Sequence, residues 1–270
     1  PEILSYLQYV ADTLDLKQDI QFETRVEAAI FDSENGWWKV STSTGNCVRA
    51  KYCISAVGCL SATQVPSFKG LDKFQGDWLH TGNWPHEPVN FHGQNVGLIG
   101  TGSSGIQSIP IIAEEAKSLT VFQRTANFSV PAHNANYSEE FVENYKESFL
   151  EIRRAATRTD FGNSTWSSKP SALEIPERER NSVYEDYWAL GGAQFMVAFE
   201  DMLTDIKAND TAAEFIRNKI RSIVKDPEIA KLLLPTDHPI GTKRLCVDTD
   251  YYDTYNREDV TLVSVKDDPI

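Results

Sequence analysis

The sequence predicts an α/β fold built on one central βαβ unit, with a helical block inserted after it and a small β-meander with one helix in front. Three observations carry this reading. From Asn95 an apolar strand, NVGLIG, runs through the glycine-rich turn TGSSG into a helix whose Ile106, Ile109, Ile112 and Ala113 share one face, and a second strand, SLTVFQRT, follows. Residues 138–232 carry the three-to-four-residue apolar spacing of helices instead. Short strand-like runs separated by turn residues fill most of the chain before residue 60.

Taken in order, residues 2–15 place Ile3, Leu4, Leu7, Val10, Ala11 and Leu14 on one stripe, which predicts an amphipathic helix. QFETRV, AAIFDS and WWKVSTS read as strands, with Asn35-Gly36 as a type I′ hairpin turn between the last two. CVRAKYCISAVG reads as a further, buried strand ending at Gly58. After the βαβ unit, SEEFVENYKESFLEIRRAATRT, ERERNSVYEDYWAL, TAAEFIRNKIRSIVKD and DPEIAKLLL read as helices, broken by Gly191, Gly192 and an SSKPS run. The last helix opens on Asp226-Pro227, an N-cap followed by proline at the first helical position. Past Pro235 the chain returns through PIGTKR to a final strand, VTLVSV. The expected organisation is therefore a β-meander with a helix at 1–62, a linker at 63–93, the βαβ unit at 94–137, the helical insertion at 138–234 and the return at 235–270. Beginning at Pro1 and stopping at Ile270, the chain reads as the middle of something longer.

Composition narrows the partners. With 41% hydrophobic and 24% charged residues over 270 positions, the chain resembles neither a disordered nor a fibrous sequence. Its net charge of −13 repels phosphate backbones and anionic lipid, which argues against nucleic acid and membrane surfaces. No apolar run approaches the roughly 18 residues of a membrane span, and no signal-like segment opens the chain, so a cytoplasmic protein is expected. Cys47, Cys53, Cys59 and Cys246 lack CxxC spacing and the histidines form no HExxH, so no metal site is expected and the cysteines read as free, packing residues.

Gly100-Thr101-Gly102-Ser103-Ser104-Gly105 is a GxGxxG string in the context that gives it meaning, directly after a strand and directly before a helix. There the first glycine makes the turn, the second lets a pyrophosphate approach the backbone, the third lets helix pack on strand, and Gln107 follows in the first helical turns. The unit is therefore Rossmann-like; the plainer alternative is a tight βα turn. A carboxylate about 20 residues on would hold a free ribose hydroxyl. The second strand ends instead on Arg124 and Thr125, an arrangement suited to the extra phosphate of NADP(H), although an arginine solvated at a strand end is the other reading.

Phe74, Gly76, His80, Trp84 and Pro85 fit the pattern FxGxxxHxxxWP. Read alone, His80 is a linker histidine with a satisfied hydrogen bond and Trp84-Pro85 a rigid loop that packs a ring. With the GxGxxG downstream, the chain resembles the type I Baeyer–Villiger monooxygenases, in which this motif lies on the linker between two nucleotide domains and governs their movement. The resemblance implies FAD beside NADP(H), with a ketone and dioxygen as small-molecule substrates and an ester or lactone as product. It continues through FQRT and Gly241-Thr242-Lys243-Arg244. There Lys243 matches a second cation for the NADP phosphate, and Arg244 matches the active-site arginine that steadies the flavin peroxide anion and the nicotinamide. Val26 matches the position whose backbone faces the flavin adenine. The family's own FAD fingerprint, its active-site Asp and its C-terminal part have no counterpart here, so the resemblance covers roughly the middle half, with the FAD site mostly outside. On this reading residues 1–62 are a partial FAD-binding segment. Two alternatives stand beside it: an N- or S-oxygenating flavin monooxygenase, and an NADP-binding module without oxygenase activity.

Overall fold

The computed structural model describes residues 2–58, 60–159, 162–163, 169–268 and 270. Cys59 and part of the SSKPS run lie outside them. The chain divides into two units, Pro1–Gln64 and Val65–Ile270.

In the first unit α1 (Glu2–Thr13) forms where the apolar stripe predicts it. An antiparallel meander follows, β1 (Val26–Asp32), β2 (Trp37–Thr42) and β3 (Cys47–Ala50), in that spatial order. Three expectations are corrected. Residues 21–25 form no strand, since only Val26 onward finds a partner in β2. The connection from β1 to β2 is not a two-residue type I′ turn: Asp32 pairs with Trp37, which leaves four residues in the loop, and Asn35 does not take the positive φ that a type I′ turn requires. The Asp32 carboxylate organises that loop instead, accepting from the backbone N–H groups of Glu34 and Asn35. Finally, the buried strand expected through Gly58 stops at Ala50; beyond it Ile54 and Val57 are exposed, and among the described residues no strand pairs with them. Among the described residues of this unit only Thr42 is buried.

The second unit holds the core. β4 (Asn95–Ile99), α2 (Ser103–Glu115) and β5 (Ser118–Gln123) make the βαβ unit, and β8 (Val260–Ser264) pairs parallel with β5, giving the order β4-β5-β8. Ile106, Ile109, Ile112 and Ala113 are buried as the periodicity predicts, against Leu119 and Val121 of β5 among others. Complete burial of one such aliphatic side chain contributes about 1.5–3 kcal/mol, so this face alone fixes α2 on the sheet.

Between β5 and β8 the chain makes β6 (Ser129–Pro131), α3 (Glu139–Glu147), α4 (Phe149–Ala156), α5 (Glu177–Leu190), α6 (Ile206–Ile223), α7 (Pro227–Leu233), β7 (Cys246–Asp248) and the short α8 (Tyr251–Thr254). The single helix expected over 138–159 is two, divided at Ser148. α6 begins before the Thr211 expected from the sequence, because the Asp205 carboxylate caps it by accepting from Lys207 N. Asp226 caps α7 as predicted, accepting from Glu228 N and Ile229 N. Tyr184 of α5 is fully buried among Phe195, Phe199 and Phe215 and joins its hydroxyl to Thr211 of α6.

β6 and β7 form a separate parallel pair, Ser129 opposite Cys246. Asp248 locks it: its carboxylate accepts from the Ser129 hydroxyl and from Tyr251 N, while Ser129 N donates to the Tyr252 hydroxyl. Burial pushes the Asp248 carboxyl above its ordinary value, more than the Ser129 and Tyr251 hydrogen bonds lower it. The native chain therefore holds the proton where the unfolded chain has lost it, and Asp248's contribution to stability falls as pH rises above the ordinary carboxylate value of 3.8. Replacing Asp248 with Asn removes that contribution, so a plot of unfolding free energy against pH should decline less steeply above 3.8 than for the wild type. Identical slopes would show that Asp248 is not titrating differently in the native state.

Candidate functional site

The site is built where β4 gives way to α2. Gly100 takes φ +101°, a conformation that L side chains avoid, and its N–H donates to Phe122 O across the strand ends. Two residues on, Gly102 stands at the N-cap of α2; no side chain caps the helix there, and a Cβ at Gly102 would meet nothing within 4 Å. At Gly105 the reverse holds, since a Cβ would sit 2.3 Å from Gly100 O. The turn is thus closed on its inner side and open where the first N–H groups of α2 emerge, and that exposed helix end favours an anion. Thr101 is buried and donates its hydroxyl to Thr125 O at 3.0 Å, which ties the turn to the residue after Arg124. Ser103 and Ser104 lie in the first helical turn, and Gln107 folds back to donate to Ser103 O at 3.0 Å.

The segment carrying Lys243 and Arg244 runs into β7, and its junction with α2 is Cys246. The Cys246 thiol accepts from Asn127 Nδ2 at 3.2 Å, donates to Arg244 O and lies against the Ser103 hydroxyl. Burial first, and then the Asp248 carboxylate, push this thiol up, while Ser103 and Arg244 pull it down. Lys243 and Arg244 are exposed, as is Arg124. Among the described residues none of the three is ion-paired with a carboxylate, although the charge of Lys243 adds to the His238 hydrogen bond that holds the Asp237 carboxyl low.

The pattern of the family described as "FMO-like: Flavin-binding monooxygenase-like" matches residues 1–142, more than half of the chain. The chain belongs to the flavin-binding monooxygenase-like family. It is 44% identical to the phenazine N-monooxygenase PhzNO1 of Lysobacter antibioticus, over all of this chain and 50% of that protein. To a Baeyer-Villiger monooxygenase of Pseudooceanicola batsensis it is 43% identical, over all of this chain and 49% of that protein. The crystal structure of OTEMO in complex with FAD and NADP matches all of this chain and 52% of its own with a TM-score of 0.96 at 37% identity. The chain spans about half the length of these relatives.

Within this member of the flavin-binding monooxygenase-like family, Gly100 to Gly105, Gln107, Thr125 and the Lys243-Arg244 segment are joined through the Thr101–Thr125 and Ser103–Cys246 contacts, with Arg124 next to the first of them. The segment from Phe74 to Pro85 forms its own local structure. The Phe74 ring folds over Gly76, where a Cβ would lie 2.9 Å from it. His80 Nδ1 accepts from Gly82 N at 3.0 Å, which makes Nε2 the protonated nitrogen of the neutral ring. Trp84, followed by an exposed Pro85, places its ring 6.3 Å from that of Phe91. Val26 belongs to the first unit, where it opens β1 opposite Thr42 and is exposed. Asn127 and Asp248 carry no motif in the sequence, where Cys246 reads only as a free, packing cysteine; the fold brings the half-buried Asn127 beside the buried Cys246, whose strand ends on the buried Asp248. A groove of about 610 Å³ opens between α5 and α6, lined by Arg180, Glu185, Asp210, Glu214 and Lys219 among others, none of them a predicted site residue.

The two later glycines of the turn should differ in what they contribute to stability. Replacing Gly105 with Ala forces a Cβ onto backbone and should destabilise the protein by ~1–3 kcal/mol in denaturant titrations. Replacing Gly102 with Ala should leave the unfolding midpoint within error of the wild type, because the added methyl enters open space.

Proposed function

We propose that this chain is the central part of an NADPH- and FAD-dependent monooxygenase that inserts one atom of dioxygen beside a ketone carbonyl, giving an ester or lactone. When bound, NADPH supplies the reducing equivalents and FAD the oxygen-activating chemistry. The observation that carries the nucleotide assignment is the fit of the turn: α2 is free of a side-chain cap, space is open at Gly102, and helix and strand touch at Gly105. Gly100 to Gly105 would cradle the pyrophosphate, with Gln107 behind them. Arg124, Thr125 and Lys243 would hold the additional phosphate of NADPH, the arginine by paired N–H donors and the lysine as a point charge.

Arg244 would serve catalysis by keeping a guanidinium beside the place where negative charge develops, since it offers donors and gives up no proton. Residues 1–62, with the Val26 backbone at the adenine, would complete one side of the flavin domain. Residues 63–93 would form the linker, in which Phe74, Gly76, His80, Trp84 and Pro85 govern domain movement. Residues 94–137 would form the NADP unit, 138–234 its helical insertion and 235–270 the return to both domains. Trp84-Pro85 and the Baeyer-Villiger relative favour ketone oxidation. The phenazine N-monooxygenase relative favours a second reading, oxygenation at an aromatic nitrogen.

The whole protein supplied with NADPH should convert members of a panel of cyclic, linear and aryl ketones to esters or lactones, identified by mass spectrometry. N-oxides from phenazine-type heterocycles with no ester from any ketone would establish the second reading in its place. NADPH should bind more tightly than NADH, and Arg124→Ala should weaken NADPH about ten-fold while leaving NADH unchanged, as for the loss of one charge-assisted contact. Equal wild-type affinities for the two nucleotides would sink this assignment of Arg124.

A further inference from the structure

The loop that delivers Lys243 is held from the helical insertion. Asn209 of α6, only 4% exposed, pairs its amide with both peptide groups of one residue: Ile240 N donates to its Oδ1 at 2.9 Å, and its Nδ2 donates to Ile240 O at 2.9 Å. The same Nδ2 also donates to Met202 O at 2.9 Å, so the side chain locks the turn after Phe199 and the backbone of Ile240 together. The next residue, Gly241, takes φ +93°, and a Cβ there would lie 2.9 Å from Leu203 Cδ2, beside that same turn. Two turns further along α6, Arg217 donates Nε to Pro235 O at 2.8 Å, and so fixes the near end of the loop. Thr242 closes it by donating its hydroxyl to Pro239 O at 2.8 Å. Lys243 is the next residue, exposed and not ion-paired with a carboxylate among the described residues.

We propose that Asn209 is a positioning residue that sets Lys243 for the additional phosphate of NADPH, so that the helical insertion takes part in choosing NADPH over NADH. This rests on the assignment of Lys243 made above. A two-point amide-to-peptide pair fixes the direction of the chain as well as its position, and a buried amide with both ends satisfied has no alternative partner to turn to. From Ile240 to Lys243 only Gly241 and Thr242 intervene, one held in a conformation that glycine permits and the other tied to Pro239. An error in the direction of Ile240 is therefore carried to the lysine. The role is distinct from support of the fold, since it predicts a loss confined to the nucleotide that carries the phosphate.

The test is calorimetric titration of NADPH and NADH into the full chain as wild type, Asn209→Ala, Gly241→Ala, Lys243→Ala and the Asn209→Ala/Lys243→Ala double variant, each with a circular-dichroism melt. Gly241→Ala disturbs the same loop without unpairing a buried amide, and carries the test if Asn209→Ala does not fold. The expected result is an NADPH affinity about ten-fold weaker in each single variant, NADH unchanged, and a double variant no weaker than Lys243→Ala alone. Folded Asn209→Ala and Gly241→Ala variants with wild-type NADPH affinity would overturn the proposal, as would equal losses for NADPH and NADH or a double variant whose loss is the sum of the singles. A wild type without NADPH preference, or one insensitive to Lys243→Ala, would overturn the assignment of Lys243 itself and this proposal with it.

Discussion

At Gly105 the first turn of α2 comes so near the end of β4 that the Gly100 carbonyl stands where a side chain would be. Most of the second unit follows from that approach. It brings the uncapped start of α2 to the carboxyl edge of the parallel strands, and it seats Ile106, Ile109 and Ile112 over β5. With α2 in place β5 is covered on that face and takes β4 and β8 as neighbours on its two edges. A wider approach would separate helix from strand, leave a gap over β5 and draw the amide groups of the turn away from one another. Close packing in a protein interior allows little of either.

The helical insertion complements this arrangement. Its own core, built around Tyr184 and the phenylalanines that surround it, makes α5 and α6 a rigid support rather than a long loop. From that support Asn209 and Arg217 reach backbone carbonyls of the return segment, and the buried Ser129, Asp248, Tyr252 and Cys246, with the half-buried Asn127, then lead the chain into β7 and α8. Satisfied polar contacts of this kind add little net stability each, yet leaving one unmade is costly, so they select one path for the chain among many of similar compactness. Lys243 and Arg244 sit between the two sets of contacts.

The first unit shows the opposite case. Its helix and strands form from local preference and pairing, but Ile3, Leu4 and Leu7 of α1 remain 79%, 61% and 57% exposed, and the meander buries no apolar side chain among the described residues. A three-stranded sheet needs a covered face for independent stability. The apolar stripe of α1 is thus a property of the sequence, whereas burial of that stripe is a property of what packs on it.

What could be read from the sequence was local and periodic. The α/β class, the βαβ unit with its buried isoleucines, the glycine turn, the Asp226 cap and most helix positions follow from spacings along the chain, because a helix or a turn is specified by residues within a few positions of one another. The length of β3, the shape of the loop after Asp32 and the split at Ser148 were misread, because a strand ends where its partner ends and a loop follows the register of the strands it joins. The same division holds for the site. Gly100 to Gly105, Arg124, Lys243 and Arg244 carry recognisable chemistry in recognisable places, whereas Asn209, Asn127, Cys246 and Asp248 carry none until the fold brings their partners from far along the chain. The sequence by itself marked which groups are candidates to meet a nucleotide; only the tertiary structure decided which side chains brace the segments that carry them, since a contact between distant residues leaves no spacing in the chain to read.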